Sequence, residues 1–321
     1  MLKLVVAFAT LVVFATESYL PSAIRQMGDV GPFLKMAWRA EASVLLLMPI
    51  AVYESRQQGV VWLSLLLKRP SGLVSLAFAC MFTGAAWVGA FGLFSLSLSL
   101  TSLTHATLTA VAMPPVYLAA WAALVRGERL SPPEIGGVLL AVGGICLAVT
   151  ASSSTGGTSG PGASAASVAG DVVGLCSAAL GATFALSIEN VRSTASMPLF
   201  AFQTAWMTCA LPLTLLLPLL LGEASASGHG LLDWARGSYW PQVPHHLRSC
   251  STSDPALHPA SPNTRPNCSH ACLRQVLFLA LGMGVASNTC MTIAAQEAGS
   301  LALGLIWCLS PVGARCSYFP A

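Results

Sequence analysis

Between Pro70 and Val125 the chain runs 56 residues without an Asp, Glu, Lys or Arg. A hydrocarbon core about 30 Å thick is crossed by roughly 20 helical residues, so this stretch suffices for two passes and the turn between them. The whole chain agrees: 55% of its residues are hydrophobic and 8% are charged, where soluble domains carry about 25% charge. An Asp, Lys or Arg at the centre of a membrane helix costs about 2.5 to 3.5 kcal/mol on insertion scales, which pushes charges to segment ends. The basic residues are scattered singly and in pairs. Phosphate backbones require a dense basic stripe, so nucleic acid is excluded as a partner.

Apolar blocks separated by short polar breaks predict nine spans: 2–20, 33–53, 73–94, 103–125, 135–151, 172–188, 199–221, 276–295 and 300–313. The first resembles a signal peptide, with Lys3 ahead of an apolar run. It reads instead as a membrane helix, because the run continues through Glu17 to Leu20. Lipid cannot satisfy backbone amides, so the fold class expected is all-α, a polytopic membrane helix bundle. Residues 1–151 form a first five-helix unit and the uncharged, Ser/Gly-rich 152–169 a flexible linker. Residues 170–321 form a second unit, interrupted at 222–274 by a Pro- and His-rich loop or insertion. Lys3, Arg56, Lys68, Arg69, Arg126, Arg129 and Arg192 share one side if the N-terminus is cytoplasmic, which the positive-inside rule favours.

At an offset of 196 residues Thr104, Ala106, Pro115 and Val116 align with Ser300, Ala302, Pro311 and Val312. At another offset Pro32-Phe33-Leu34 aligns with Pro198-Leu199-Phe200. A unit of five helices is odd in number, so its second copy enters the membrane from the opposite side. Inverted repeats place a substrate site near the midplane at their interface, and matched Pro-interrupted helices are the sequence pointer to it. Pro115 and Pro311 are such a pair; kinking for packing is the other account of them.

The block 99–150 carries a small-residue start, Pro115-Val116, a Gly127-Glu128-Arg129 loop and a fifth span rich in glycine, with Gly136-Gly137 and Gly143-Gly144. Together with Pro32-Phe33 and Trp38-Arg39 it resembles the drug/metabolite transporter superfamily, in particular ten-helix proteins of two EamA-type repeats. The resemblance implies two inverted five-helix repeats and transport of a small organic solute by alternating access. Only nine residues follow Pro311-Val312, so the expectation is a second repeat whose tenth helix is missing. The alternative that follows is a truncated, non-transporting paralogue acting only through helix association.

Arg39 lies inside span two, where an ionisable residue points to function or pairing, with Glu17 as partner; the alternative is snorkelling of Lys35 and Arg39 to the interface. His105, beside Thr104, is either a proton-coupling group or a hydrogen-bonded structural histidine near a helix end. Gln203, Trp206, Asn288 and Gln296 are further pathway candidates. Gly137, Ala141, Gly144 and Ala148 form a small-residue stripe expected to pack helices. Cys250, Cys268, Cys272, His258 and His270 do not have a standard zinc spacing, and no metal or cofactor is expected. The spans lack paired Asp residues and a histidine box, so an enzyme is not expected. The partners expected are the lipid bilayer, a small-molecule solute and a coupling ion or proton. No Lys or Arg occurs in 193–222 or 275–296, which favours a neutral, zwitterionic or amine-like solute over a phosphorylated one.

Overall fold

The computed structural model describes residues 2–27, 30–57, 70–154, 161–195, 198–223, 231 and 278–293. They form α1 (Leu2–Gln26), α2 (Pro32–Gln57), α3 (Pro70–Leu100), α4 (Leu103–Val111), α5 (Pro114–Leu124), α6 (Pro132–Ser154), α7 (Pro161–Ala195) and α8 (Leu199–Leu220). A last helix, α9 (Phe278–Ile293), is π-wound over Phe278–Ser287. No strand occurs among the described residues. Among the described residues five stretches are long and apolar enough to cross a membrane: Pro32–Gln57, Gly72–Leu100, Leu103–Leu124, Val168–Val191 and Leu199–Leu220. The expected span 300–313, with Pro311, lies outside the described residues, as does Gln296.

The span Leu103–Leu124 is interrupted where its prolines fall, because Pro114 and Pro115 stand at the start of α5 without an N–H to continue α4, and Ala112 and Met113 make the break. One expectation needs correction. The connector 152–169 is largely helical: α6 runs to Ser154 and α7 already begins at Pro161. Pro at the first helical position and the alanines that follow explain the early start.

The helices pack in antiparallel pairs. Ser97 Oγ donates to the Gly170 carbonyl (2.8 Å) and Ser177 Oγ to that of Ala90 (2.6 Å), which aligns α3 against α7 in opposite senses. Glycines set the close approaches. A Cβ on Gly84 of α3 would lie 2.9 Å from the Trp206 carbonyl and 3.0 Å from Ala210 Cβ of α8. On Gly284 of α9 it would meet Ser43 of α2, with Cβ only 2.6 Å away. Without a hydrophobic drive between helices in lipid, such small-residue contacts and interhelical hydrogen bonds hold a bundle together.

The α2–α8 pair is tied at both ends. Glu54, in the last turn of α2, accepts from the N–H groups of Leu199 (3.1 Å), Phe200 (2.8 Å) and Ala201 (3.2 Å) at the start of α8. Glu223, just past α8, accepts from Phe33 (3.0 Å) and Leu34 (2.9 Å) at the start of α2. Each carboxylate satisfies orphan amides where the helix dipole favours negative charge. Gly222 turns the chain after α8 with φ 68°, and Gly31 leaves room for the incoming carboxyl, since a Cβ there would sit 2.5 Å from Glu223 Cδ. Glu223 therefore belongs to the packed structure, not to a loop beginning at 222.

Large apolar side chains such as Phe78, Leu124, Leu140 and Leu147 are exposed on the outside, as a lipid-facing surface requires. Gly137 of the small-residue stripe is half-buried, while Gly144 is exposed and a Cβ there would meet nothing within 4 Å. The side chains of Ala141 and Ala148 lie outside the described residues.

Candidate functional site

Charged and amide side chains from α1, α2 and α8 converge on the π-wound turns of α9. Arg39 Nη2 donates to the Met283 carbonyl (3.3 Å) and Gln203 Nε2 to that of Gly284 (3.0 Å), while Ser43 Oγ, which donates to the Arg39 carbonyl of its own helix (2.6 Å), lies 3.4 Å from the Ala280 carbonyl. Asn288 Nδ2 shares the Gly284 carbonyl at 3.2 Å. A π-turn departs from the i→i−4 ladder, and its main-chain carbonyls here accept side chains; such turns recur at functional sites. From α9 in turn, Ser287 Oγ donates to Glu17 Oε1 (3.3 Å) and Thr289 Oγ1 to Gln203 Oε1 (2.8 Å).

Arg39 does not snorkel. It is 3% exposed and Lys35 is buried as well, because the sequence places Arg39 on the face of α2 that turns toward α9. Its guanidinium lies 4.3 Å from the Phe91 ring centroid and 5.2 Å from that of Trp87, a cation–π arrangement that offsets part of its lost hydration. Glu17, expected as its partner, is equally buried. The two charges act on one another through the interior, yet no ion pair joins them among the described residues. Arg39 Nε has no hydrogen-bond partner among the described residues. An orphaned donor at this depth costs about 1 to 3 kcal/mol and more for a charged group.

Two cavities adjoin this gap. The larger, about 410 Å³ with its mouth included, is lined by Glu17, Phe91, Phe94, Pro114, Ser177 and Phe184 among others. Glu17 is its one charged wall residue among the described residues. The smaller, about 240 Å³, is lined by Lys35, Arg39, Met36, Ser95 and Leu279, and shares Leu20 and Phe91 with the first. The broken span forms part of the wall: Ala110, Val111 and Pro114 flank its break, and Pro115 is buried beside them. Trp206 stands behind the wall, with its ring 5.2 Å from Phe184 and 5.4 Å from Trp87.

The structure thus brings together Glu17, Arg39, Gln203 and Asn288, and sets Pro115 and Trp206 around them. His105 and Thr104 lie elsewhere. Thr104 is exposed at the head of α4. His105 Nδ1 is 3.2 Å from Asp171 Oδ2, and the Ser102 hydroxyl caps the helix by accepting from the His105 N–H, the arrangement of a histidine tying α4 to α7. Sequence reasoning missed Ser43, Ser177, Ser287, Glu54, Asp171 and Glu223. The pair Gly282 and Gly284, flanking Met283, was the available signal for an irregular turn.

The architecture is that of a polytopic membrane protein built of apolar helices. Residues 3–150 match the EamA-like transporter family, which falls within the drug/metabolite transporter superfamily. A solved chain titled only "Crystal structure of protein" is similar with TM-score 0.57 and 19% identity, over 98% of this chain and 88% of that one. That likeness shows a shared fold. No curated protein matches the chain.

Proposed function

We propose that the chain is a secondary carrier of a small zwitterionic solute with an apolar or aromatic side group, working by alternating access. The observation that carries this reading is the pair of buried opposite charges, Glu17 and Arg39, facing adjoining cavities without an ion pair between them. An ammonium group meets Glu17 in the larger cavity, a carboxylate meets the orphaned Nε of Arg39, and Phe91, Phe94 and Phe184 cover the apolar part. Each charged hydrogen bond contributes about 1.5 to 3 kcal/mol, roughly ten- to 150-fold in affinity.

Alternating access draws support from the packing. α3 lies on α7 and α8, while α9 lies on α1 and α2; exchanging α1 for α7, α2 for α8 and α3 for α9 maps one set of contacts onto the other. Gly84 and Gly284 exchange in the same operation, as do the caps Glu54 and Glu223. This is the pattern two inverted copies would produce, with the midplane site between them. The N-terminus is assigned to the cytoplasm on the distribution of Lys and Arg.

Uptake of phenylalanine, 2-phenylethylamine and 3-phenylpropanoate into proteoliposomes tests the reading. Phenylalanine is taken up saturably, and the amine and the acid at least tenfold more weakly. Glu17→Gln erases the preference over the acid, and Arg39→Met the preference over the amine. Equal uptake of all three, or a Glu17→Gln variant with unchanged preference, overturns it.

A further inference from the structure

We infer that Glu54 and Glu223 are twin latches closing the two ends of the α2–α8 seam, and that they release one at a time as the halves rock. The inference rests on the carrier reading for its place in a cycle, and on three observations for its geometry. First, α2 and α8 are antiparallel neighbours joined by five amide-to-carboxylate hydrogen bonds, three at one end and two at the other. A helix of 22 residues is about 33 Å long, so the two sets lie near opposite membrane surfaces. Second, the groups held are equivalent: each latch grips the first amides after a proline, in Pro32-Phe33-Leu34 and in Pro198-Leu199-Phe200. Third, the chain makes room for the less local latch, with Gly31 cleared for the Glu223 carboxyl and Gly222 in the left-handed conformation that turns the chain before it.

The mechanics follow from rigid helices. Tilting α8 against α2 about the middle of the seam separates one pair of ends and presses the other together. A carboxylate bonded to consecutive N–H groups of the neighbouring helix is a short-range tie, lost within about an ångström of separation. One latch therefore yields while the other holds, and both are engaged in the conformation seen here. Neither carboxylate touches either cavity, so both are positioning residues.

The experiment uses nitroxide pairs in the full chain reconstituted in lipid bilayers, with Tyr53 and Leu199 reporting the Glu54 end and Pro32 and Leu221 the Glu223 end. Each pair is measured by pulsed dipolar spectroscopy without solute. Glu54→Ala is expected to add a longer-distance population, at least threefold larger than in the unsubstituted chain, at its own end while the other end stays short. Glu223→Ala does the converse. Gly31→Ala, which displaces the Glu223 carboxyl without altering it, reproduces Glu223→Ala, and the Gln variants shift the same populations by less and guard against misfolding. Lengthening at both ends from one substitution, or at neither, overturns the latches. The distances need no transport, so a chain that opens its ends singly yet moves no phenylalanine refutes the carrier and leaves the latches standing.

Discussion

Replacing Gly284 by Ala tests whether the α2–α9 crossing holds the buried site together. The new Cβ lies 2.6 Å from Ser43 Cβ and overlaps Ser43 Oγ, whereas carbon atoms in contact prefer about 3.5 to 4.0 Å. A Cβ cannot rotate out of the way, so α9 must withdraw from α2 by about 1 Å, judged from that contact range. Arg39 Nη2 at 3.3 Å from the Met283 carbonyl already sits at the long limit, and the retreat breaks that bond. A charged hydrogen bond contributes about 1.5 to 3 kcal/mol; staying put instead incurs an overpacking strain of about 1 to 3. The chain takes the cheaper course, giving an expected loss of about 1 to 3 kcal/mol. Reversible unfolding in mixed detergent micelles reads this value, and Ser43→Gly in the same chain should restore more than half of it by vacating the space. A Gly284→Ala variant within about 0.5 kcal/mol of the parent, the range of an inconsequential substitution, would falsify the account of the crossing.

Arg39→Lys keeps the charge but loses the flat guanidinium over Phe91 and Trp87; a drop of about 1 to 2 kcal/mol in unfolding free energy is expected, and an unchanged value would show the stacking to be incidental. Gly127→Ala places a side chain at φ 66° and should cost about 1 kcal/mol, measured in the same assay. Asp171→Ala is expected to cost less than about 1 kcal/mol, because the His105–Asp171 pair is partly exposed; a larger loss would mark it as more than a helix tie. Burial pushes the Glu223 carboxyl above its ordinary 4.5, against the opposing pull of the Leu34 and Phe33 amides and of Lys35. The folded state thus binds that proton more tightly than the unfolded one. The stabilisation is full below 4.5 and is lost as pH rises through the raised value, so the difference in melting temperature between the parent and Glu223→Gln should change across that window and stay flat well above it.

The bundle was legible because absence of charge over 56 residues has one physical reading, and the helix break at Pro114 because proline lacks an N–H. The nearness of Glu17 and Arg39 was legible too, since both stand toward the ends of spans one and two that meet on one side. That no ion pair joins them was not, because it depends on what α9 supplies from some 240 residues away. Glu54 and Glu223 read as ordinary charges at span ends; only the three-dimensional position of the other helix's first amides gives them a role. The Ser/Gly-rich connector misled for a related reason: composition argued for flexibility, but Pro161 and the alanines after it suffice to start α7. His105 was visible as an unusual residue, while its partner Asp171 lies just before the expected span 172–188, in the part of α7 that composition had assigned to the connector's edge.

The hydrogen bond from Arg39 to the Met283 carbonyl spans 244 residues. At a synthesis rate of about 5 to 20 residues per second, α2 emerges from the ribosome roughly 12 to 50 seconds before the carbonyl that receives its guanidinium exists. During that interval the guanidinium lacks its main-chain acceptor, and Glu17 on its neighbour waits somewhat longer for Ser287, 270 residues on. The insertion machinery must therefore keep the first helices in a wet or protein-lined environment until the last one arrives, making biogenesis of this bundle a late, all-at-once closure around its polar centre.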